Sequence, residues 1–446
     1  MLQYFVFLIL LALPLLGIYA YKHPGIAAGL VWSMIAMESV VQAGNSFLLN
    51  HSSLMNIVIA SLAASTVAYS AIKRRISADN LPKHFYRYTA LILWCVMTAL
   101  WSENFGISVF HLKKNLPYIA AFAILAPMCV YNDVELKKAI QTTIFFGALV
   151  CIGIALSDIG RRGVVLDVVR GKVIEANPLA AASYGGYVAI ACIFSILGTR
   201  NNLPNALLKL AIAAIALYVV VKSGSRGQLI ALGIVCVCWL PVVSSLLPKR
   251  SMILAVIAVA ATLIASVLFI QETGVTGRWD SDRFFTDQSG RFSMAQEVIT
   301  KNLKTGPIAW LMGLGTSSSF DILDTYPHNI YAETFAEEGL IGLILLSVFM
   351  IGIFRICLQM LKTRGLSDES RCNIGILMAI FCFNAILAAK QGSLLGSSSS
   401  LFSIGLTIAW VHSSVVARFA YNLYPQNPTF STPSTPYANP NISQAK

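Results

Sequence analysis

Apolar residues run along this chain in blocks close to the roughly 20 positions that a membrane-crossing helix needs, separated by short polar links. The blocks fall near residues 2–20, 25–43, 54–72, 88–104, 116–131, 139–157, 179–197, 208–222, 227–247, 251–271, 339–356, 374–389 and 400–417. They predict an all-α, polytopic integral membrane protein with about 12 to 13 transmembrane helices. A transmembrane barrel would instead alternate apolar and polar residues over about 10 positions. The blocks show no such alternation.

The polar links divide unequally. Numbering them alternately by side gives one side Lys73, Arg74, Arg75, Lys83, Arg87, Lys137, Lys138, Arg200, Lys209, Lys249, Arg250, Arg355, Lys362, Arg364, Arg371 and Arg418. The positive-inside rule makes that side cytoplasmic, with the first residue outside and the C-terminus inside. Two long loops, near 158–178 and 272–338, then face outward. The segment Phe105 to Pro117, with His111, Lys113 and Lys114 among apolar residues, reads either as a helix lying along the outer interface or as a connecting loop. The first block lacks a basic leader and a small-residue cleavage site, so it reads as an anchor. The chain divides into N-terminal transmembrane helices (1–204), a second membrane region with the long outer loop (205–421), and a tail (422–446) whose prolines lie among Ser, Thr and Asn and predict disorder.

Composition sharpens this picture. Of the residues, 57% are hydrophobic and 12% charged, where soluble domains carry roughly 25% charged residues. The net charge of +12 comes mostly from the short links. Membrane topology and anionic lipid account for it, and nucleic acid is not expected as a partner. The nine cysteines lie in apolar blocks or short links without CxxC spacing, so neither disulfides nor a zinc site is expected.

Three places carry candidate chemistry, all on the outer side. In Lys222-Ser-Gly-Ser-Arg226-Gly, Arg226 opens a helix after a tight turn, where it either snorkels to headgroups or offers a planar fork to phosphate. In the long loop, Ser289-Gly-Arg291 precedes a moderately amphipathic stretch from Phe292 to Ile299. Two guanidinium groups in one pocket repel unless a polyanion lies between them, so convergence of Arg226 and Arg291 would suit a diphosphate. Arg278 and Arg283 read as solvated surface charge. The third place is Tyr326-Pro-His328-Asn329, followed by Glu333, Glu337 and Glu338. Asn329 is a candidate helix cap, and His328, at the positive end of the helix dipole, is a candidate general base. Glu337 is expected to orient the histidine or to hold the loop through arginine pairs. Glu338 is expected at a solvated helix start, and Glu333 is a further carboxylate of no special claim.

The Ser-Arg-Gly turn, the outer-loop Ser-Gly-Arg, Gly313-Leu-Gly315, and His328-Asn329 with Glu337 nine residues after the histidine and Gly339-x-x-Gly342 together resemble the O-antigen ligase and polymerase family over about residues 205 to 355. The resemblance implies glycan transfer from an undecaprenyl-diphosphate carrier at the periplasmic face of the bacterial inner membrane, with neither metal nor cofactor. By position it implies that Arg226 and Arg291 bind the donor diphosphate, that His328 activates the acceptor hydroxyl, and that Asn329 and Glu337 support them. Ala295 and Ala332 depart from the aromatic residue and leucine frequent in the family, which bears on acceptor shape and loop pose.

Lipid A-core is the favoured acceptor, with a second lipid-linked glycan or a protein hydroxyl as alternatives that the residues leave open. A lipid-linked glycan transporter is the alternative from another class. Transporters carry ionisable sites near the bilayer midplane and often internal repeats, and neither is evident here.

Overall fold

The computed structural model describes residues 2–51, 53–73, 75–76, 81–156, 165–169, 172–175, 178–198, 202–243, 290–363 and 366–423. Among these the chain is an all-α membrane protein. Eight helices are long and apolar enough to cross a bilayer: Gly25–Gly44, Leu54–Ile72, Asp133–Ala155, Pro178–Gly198, Leu203–Lys222, Ile330–Lys362, Asp368–Gln391 and the one starting at Ser399. Two further helices, Leu2–Ala20 and Arg226–Val243, whose apolar stretches Val6–Ala20 and Arg226–Leu240 are shorter, and the more polar Lys83–Thr98 join them. The expected block at 251–271 lies outside the described residues, as do Ser289, Arg278, Arg283, Arg161, Arg162, Arg170 and the tail from 424. Part of the 158–178 loop forms a two-stranded antiparallel hairpin, Val165–Val169 with Lys172–Glu175.

Phe105 to Pro117 is helical, within Phe105–Ile119, and runs through a π-helical stretch at Ala120–Leu125 into Ala126–Cys129. The open choice between interfacial helix and connecting loop is thus decided for a helix, opened by Asn104, whose Oδ1 accepts from Ile107 N.

The parts 1–204 and 205–421 share one core. Gly25–Gly44 packs on Asp133–Ala155, Pro178–Gly198 on both Leu203–Lys222 and Asp368–Gln391, and Lys83–Thr98 on Ile330–Lys362. Trp32 Nε1 donates to Ser403 Oγ across the bundle at 3.0 Å. In a bilayer such close side-chain packing replaces the water-driven association of soluble helices.

Links assigned to the same side meet each other. At the end expected to be cytoplasmic, Gly25 N donates to Glu135 Oε2, Lys137 pairs with Glu369 at 2.6 Å, and Ser370 Oγ donates to Asp133. At the opposite end, Lys222 Nζ donates to the carbonyl of Ile154 at 2.7 Å, and Ser393 to Glu333.

The Ile330–Lys362 helix is two helices in one register of sequence. Gly339 breaks it with φ 69° and ψ −166°, so the apolar block expected from 339 is its membrane part. The preceding turns, 330–338, form a separate helical piece whose last carbonyls need partners. Asn302 Nδ2 donates to Ala336 O at 3.0 Å and to Phe335 O, and the amides of Leu314 and Gly315 donate to Ala336 O and Glu337 O. Trp94 Nε1 donates to Glu338 O at 2.9 Å. A side chain on Gly313 or Gly339 would collide with the backbone of the other strand of this crossing.

Candidate functional site

The outer loop is built on that broken helix. Glu337 is buried, and its carboxylate accepts from Ser317 N at 2.7 Å and Ser319 N at 3.1 Å. It therefore holds the loop through backbone amides. The sequence-based expectation of arginine pairing, or of orienting the histidine, is corrected: its oxygens are occupied by the turn that starts Ser318–Leu323. Glu338 is fully buried, not solvated, with Oε1 3.1 Å from Thr316 Oγ1. Asn329 caps the helix, its Oδ1 accepting from Tyr331 N and Ala332 N at 3.1 and 3.2 Å.

His328 precedes this cap in the left-handed region, with φ 57°. A non-glycine residue there carries strain that its surroundings must sustain. Its ring lies 4.2 Å, centroid to centroid, from that of Tyr326, and its Nδ1 is buried without a hydrogen-bond partner. Partial burial, then the positive charge of Arg291, holds the imidazole below its ordinary pKa of 6.5. It is thus neutral at neutral pH and able to take a proton.

Arg291 opens the Arg291–Thr305 helix after Gly290, itself at φ 63°, and its Nη1 donates to Lys390 O at 3.1 Å. Arg226 begins the Arg226–Val243 helix after Gly224. The two arginines converge on a third cation. Lys390, one residue before the end of Asp368–Gln391, feels the repulsion of both guanidinium groups. Its ammonium presses against Gly227, where a Cβ would collide with Nζ. The sequence reading missed Lys390. Its signal was there: a lysine closing an apolar block on the outer side, against the charge asymmetry of the links.

Glu333, given no special role from sequence, is buried to 4% exposure. It lines a cavity of about 150 Å³ together with Tyr326, Glu337 and residues of Phe105–Ile119. Tyr326 ties the two regions together, since its phenol is raised by partial burial and by Glu333 and lowered by Arg291. From one side to the other the site therefore holds three cations, then His328 and Tyr326, then the Glu333 cavity.

Among the described residues no group of three or more His, Cys, Asp or Glu side chains is placed to hold a metal ion. Compared with known proteins, the chain matches no family model and no curated protein.

Proposed function

We propose that this protein is a membrane glycosyltransferase that moves an oligo- or polysaccharide from an undecaprenyl-diphosphate carrier to an acceptor hydroxyl, as an O-antigen ligase acting on lipid A-core at the periplasmic face of the bacterial inner membrane. The observation that carries this reading is that Arg291 donates to the Lys390 carbonyl while the Lys390 ammonium lies against Gly227, the residue after Arg226, with His328 held neutral close to Arg291. Three cations at one end of an apolar bundle repel one another, and a diphosphate turns that repulsion into attraction.

In the reaction, the acceptor oxygen forms a bond to the anomeric carbon of the donor sugar while that carbon's bond to the diphosphate oxygen breaks. The acceptor's proton goes to the His328 imidazole. The electron pair leaves with undecaprenyl diphosphate, whose growing charge the three cations stabilise. Attack from the face opposite the leaving group inverts the anomeric centre. The arrangement also favours surface chemistry over transport, because these groups collect at one end of the bundle and not at its middle.

Lipopolysaccharide gels from a deletion strain, complemented with wild type or His328→Ala, test the reading. Ligase activity predicts loss of the long-chain ladder with accumulation of lipid-linked polymer, restored only by wild type. Core carrying a single repeat would assign polymerisation instead. An unchanged ladder would remove lipopolysaccharide from the account.

A further inference from the structure

Beside the cation cluster lies a second, chemically different site. Glu333 projects from the first turn of the 330–338 helical piece and is 4% exposed. One carboxylate oxygen, Oε1, accepts from Ser393 Oγ at 2.9 Å and Leu394 N at 3.2 Å. The other, Oε2, is buried and has no hydrogen-bond partner. Burying a carboxylate oxygen with nothing bonded to it is costly, and such an oxygen marks a place where a ligand completes the set.

The cavity that Glu333 lines supplies the rest of a recognition surface. Phe320 and Tyr326 give it aromatic walls, and Asn115 and Lys114 from the Phe105–Ile119 helix give it polar ones. Its volume, about 150 Å³, matches that of a cavity able to hold a single six-membered ring. Apolar faces with a few convergent polar atoms suit a small ring bearing hydroxyl groups. Burial, and then the neighbouring Glu337, pushes the Glu333 carboxyl well above the usual carboxylate range, so it meets the cavity as a neutral acid suited to hydroxyl groups.

The position follows from Tyr326, which lines this cavity and packs its ring, tilted, 4.2 Å from that of His328. A ring held in the cavity has a neighbour on the side of the histidine, which itself neighbours the phosphate-binding cations. We infer that this cavity is the subsite for the terminal sugar of the acceptor, and that the unpartnered Glu333 Oε2 forms a hydrogen bond with one of that sugar's hydroxyls. The inference rests on the transferase reading for the word acceptor, although the site itself is one for a neutral sugar ring.

Glu333→Ala tests it, since alanine removes the unpartnered oxygen that the sugar would meet. Phe320→Ala is the second variant, removing a wall while leaving the buried carboxyl and its bonds to Ser393 and Leu394 in place. Both are compared with wild type in lipid nanodiscs, with lipid A-core as acceptor and extracted undecaprenyl-diphosphate glycan as donor. The binding of delipidated core oligosaccharide is followed separately by saturation-transfer NMR. The expected result for each variant is a rise in acceptor KM of about tenfold, the order of a buried polar group left unpaired or of an apolar wall removed, with donor KM unchanged and oligosaccharide binding weakened in parallel. Unchanged acceptor KM in both variants overturns the inference. So does oligosaccharide that fails to bind wild type, or that is outcompeted by a Ser/Thr peptide occupying the same cavity. If wild type binds the oligosaccharide through Glu333 yet transfers nothing, the sugar subsite stands and the transferase reading falls.

Discussion

On the proposed reading, Lys390 opposes folding and serves diphosphate binding at once. Its ammonium lies against the backbone at Gly227 and is repelled by Arg291 and Arg226, so without a bound diphosphate it adds repulsion. Lys390→Met, which keeps the stem, is expected to leave the melting temperature equal or higher while weakening undecaprenyl-diphosphate binding by about tenfold or more, the usual worth of a hydrogen bond to a charged group. Calorimetry with and without the lipid reads both effects, and a variant less stable but binding normally would contradict them. At His328 the pH dependence has a definite sign. Burial and Arg291 place its folded-state pKa below 6.5, so kcat/KM should be flat above that value and fall as pH drops through the lower, folded pKa. The stability that the neutral ring contributes is likewise complete above 6.5 and declines below it. In Arg291→Gln the acid limb should move up toward 6.5, and a limb that stays in place would show that Arg291 does not act on the histidine.

The broken helix is the element that assembles the site. Asn329 at one end and the apolar block beginning at Gly339 were both legible in the sequence, since a cap residue and a hydrophobic run are local signals. The break between the two helical pieces was not. An isolated glycine at a helix start has many readings, and this one is fixed by its contact with the Gly313 region, 26 positions earlier in the chain, where neither residue tolerates a Cβ. Glu337 and Glu338 were misjudged for the same reason, because the amides and hydroxyl that receive them come from residues 316–319. Gly339→Ala forces a side chain onto a backbone of positive φ and extended ψ that is essentially confined to glycine, roughly 1–3 kcal/mol of strain, and adds a collision. It is expected to lower the melting temperature by several degrees and to reduce transfer, as measured in detergent and nanodiscs respectively. A neutral effect on both would mean that the crossing is not required.

At the scale of the whole molecule, those described links that alternate by sequence and touch one another do so by side, and this is where sequence reading served best. Blocks and basic links together carry topology because the bilayer imposes a fixed length and the charge asymmetry a direction. Single cysteines introduced at Glu369 and at Ser397, in a background without the nine native thiols, should react with an impermeant maleimide from opposite faces of sealed inner-membrane vesicles. Labelling from one face would overturn the assignment. The Lys137–Glu369 pair, partly exposed at 41% and 49%, should contribute less than about 1 kcal/mol, so the first of these changes leaves folding intact. What the sequence could not supply was proximity. Arg226, Arg291 and Lys390 come from three helices far apart in the chain, and only packing brings them to one place.

If one end of this bundle binds a lipid diphosphate and His328 then drives sugar transfer, single-turnover transfer by purified protein in nanodiscs, loaded with labelled undecaprenyl-diphosphate glycan and lipid A-core, will show it. The transferase reading predicts that wild type moves the label to lipid A-core with one undecaprenyl diphosphate released per glycan transferred. It also predicts that His328→Ala retains donor affinity and transfers at least a hundredfold more slowly, the lower bound for a lost general base. Transfer at the wild-type rate by His328→Ala would contradict it, as would a wild-type protein that carries the labelled donor across sealed vesicles without ever breaking its diphosphate bond.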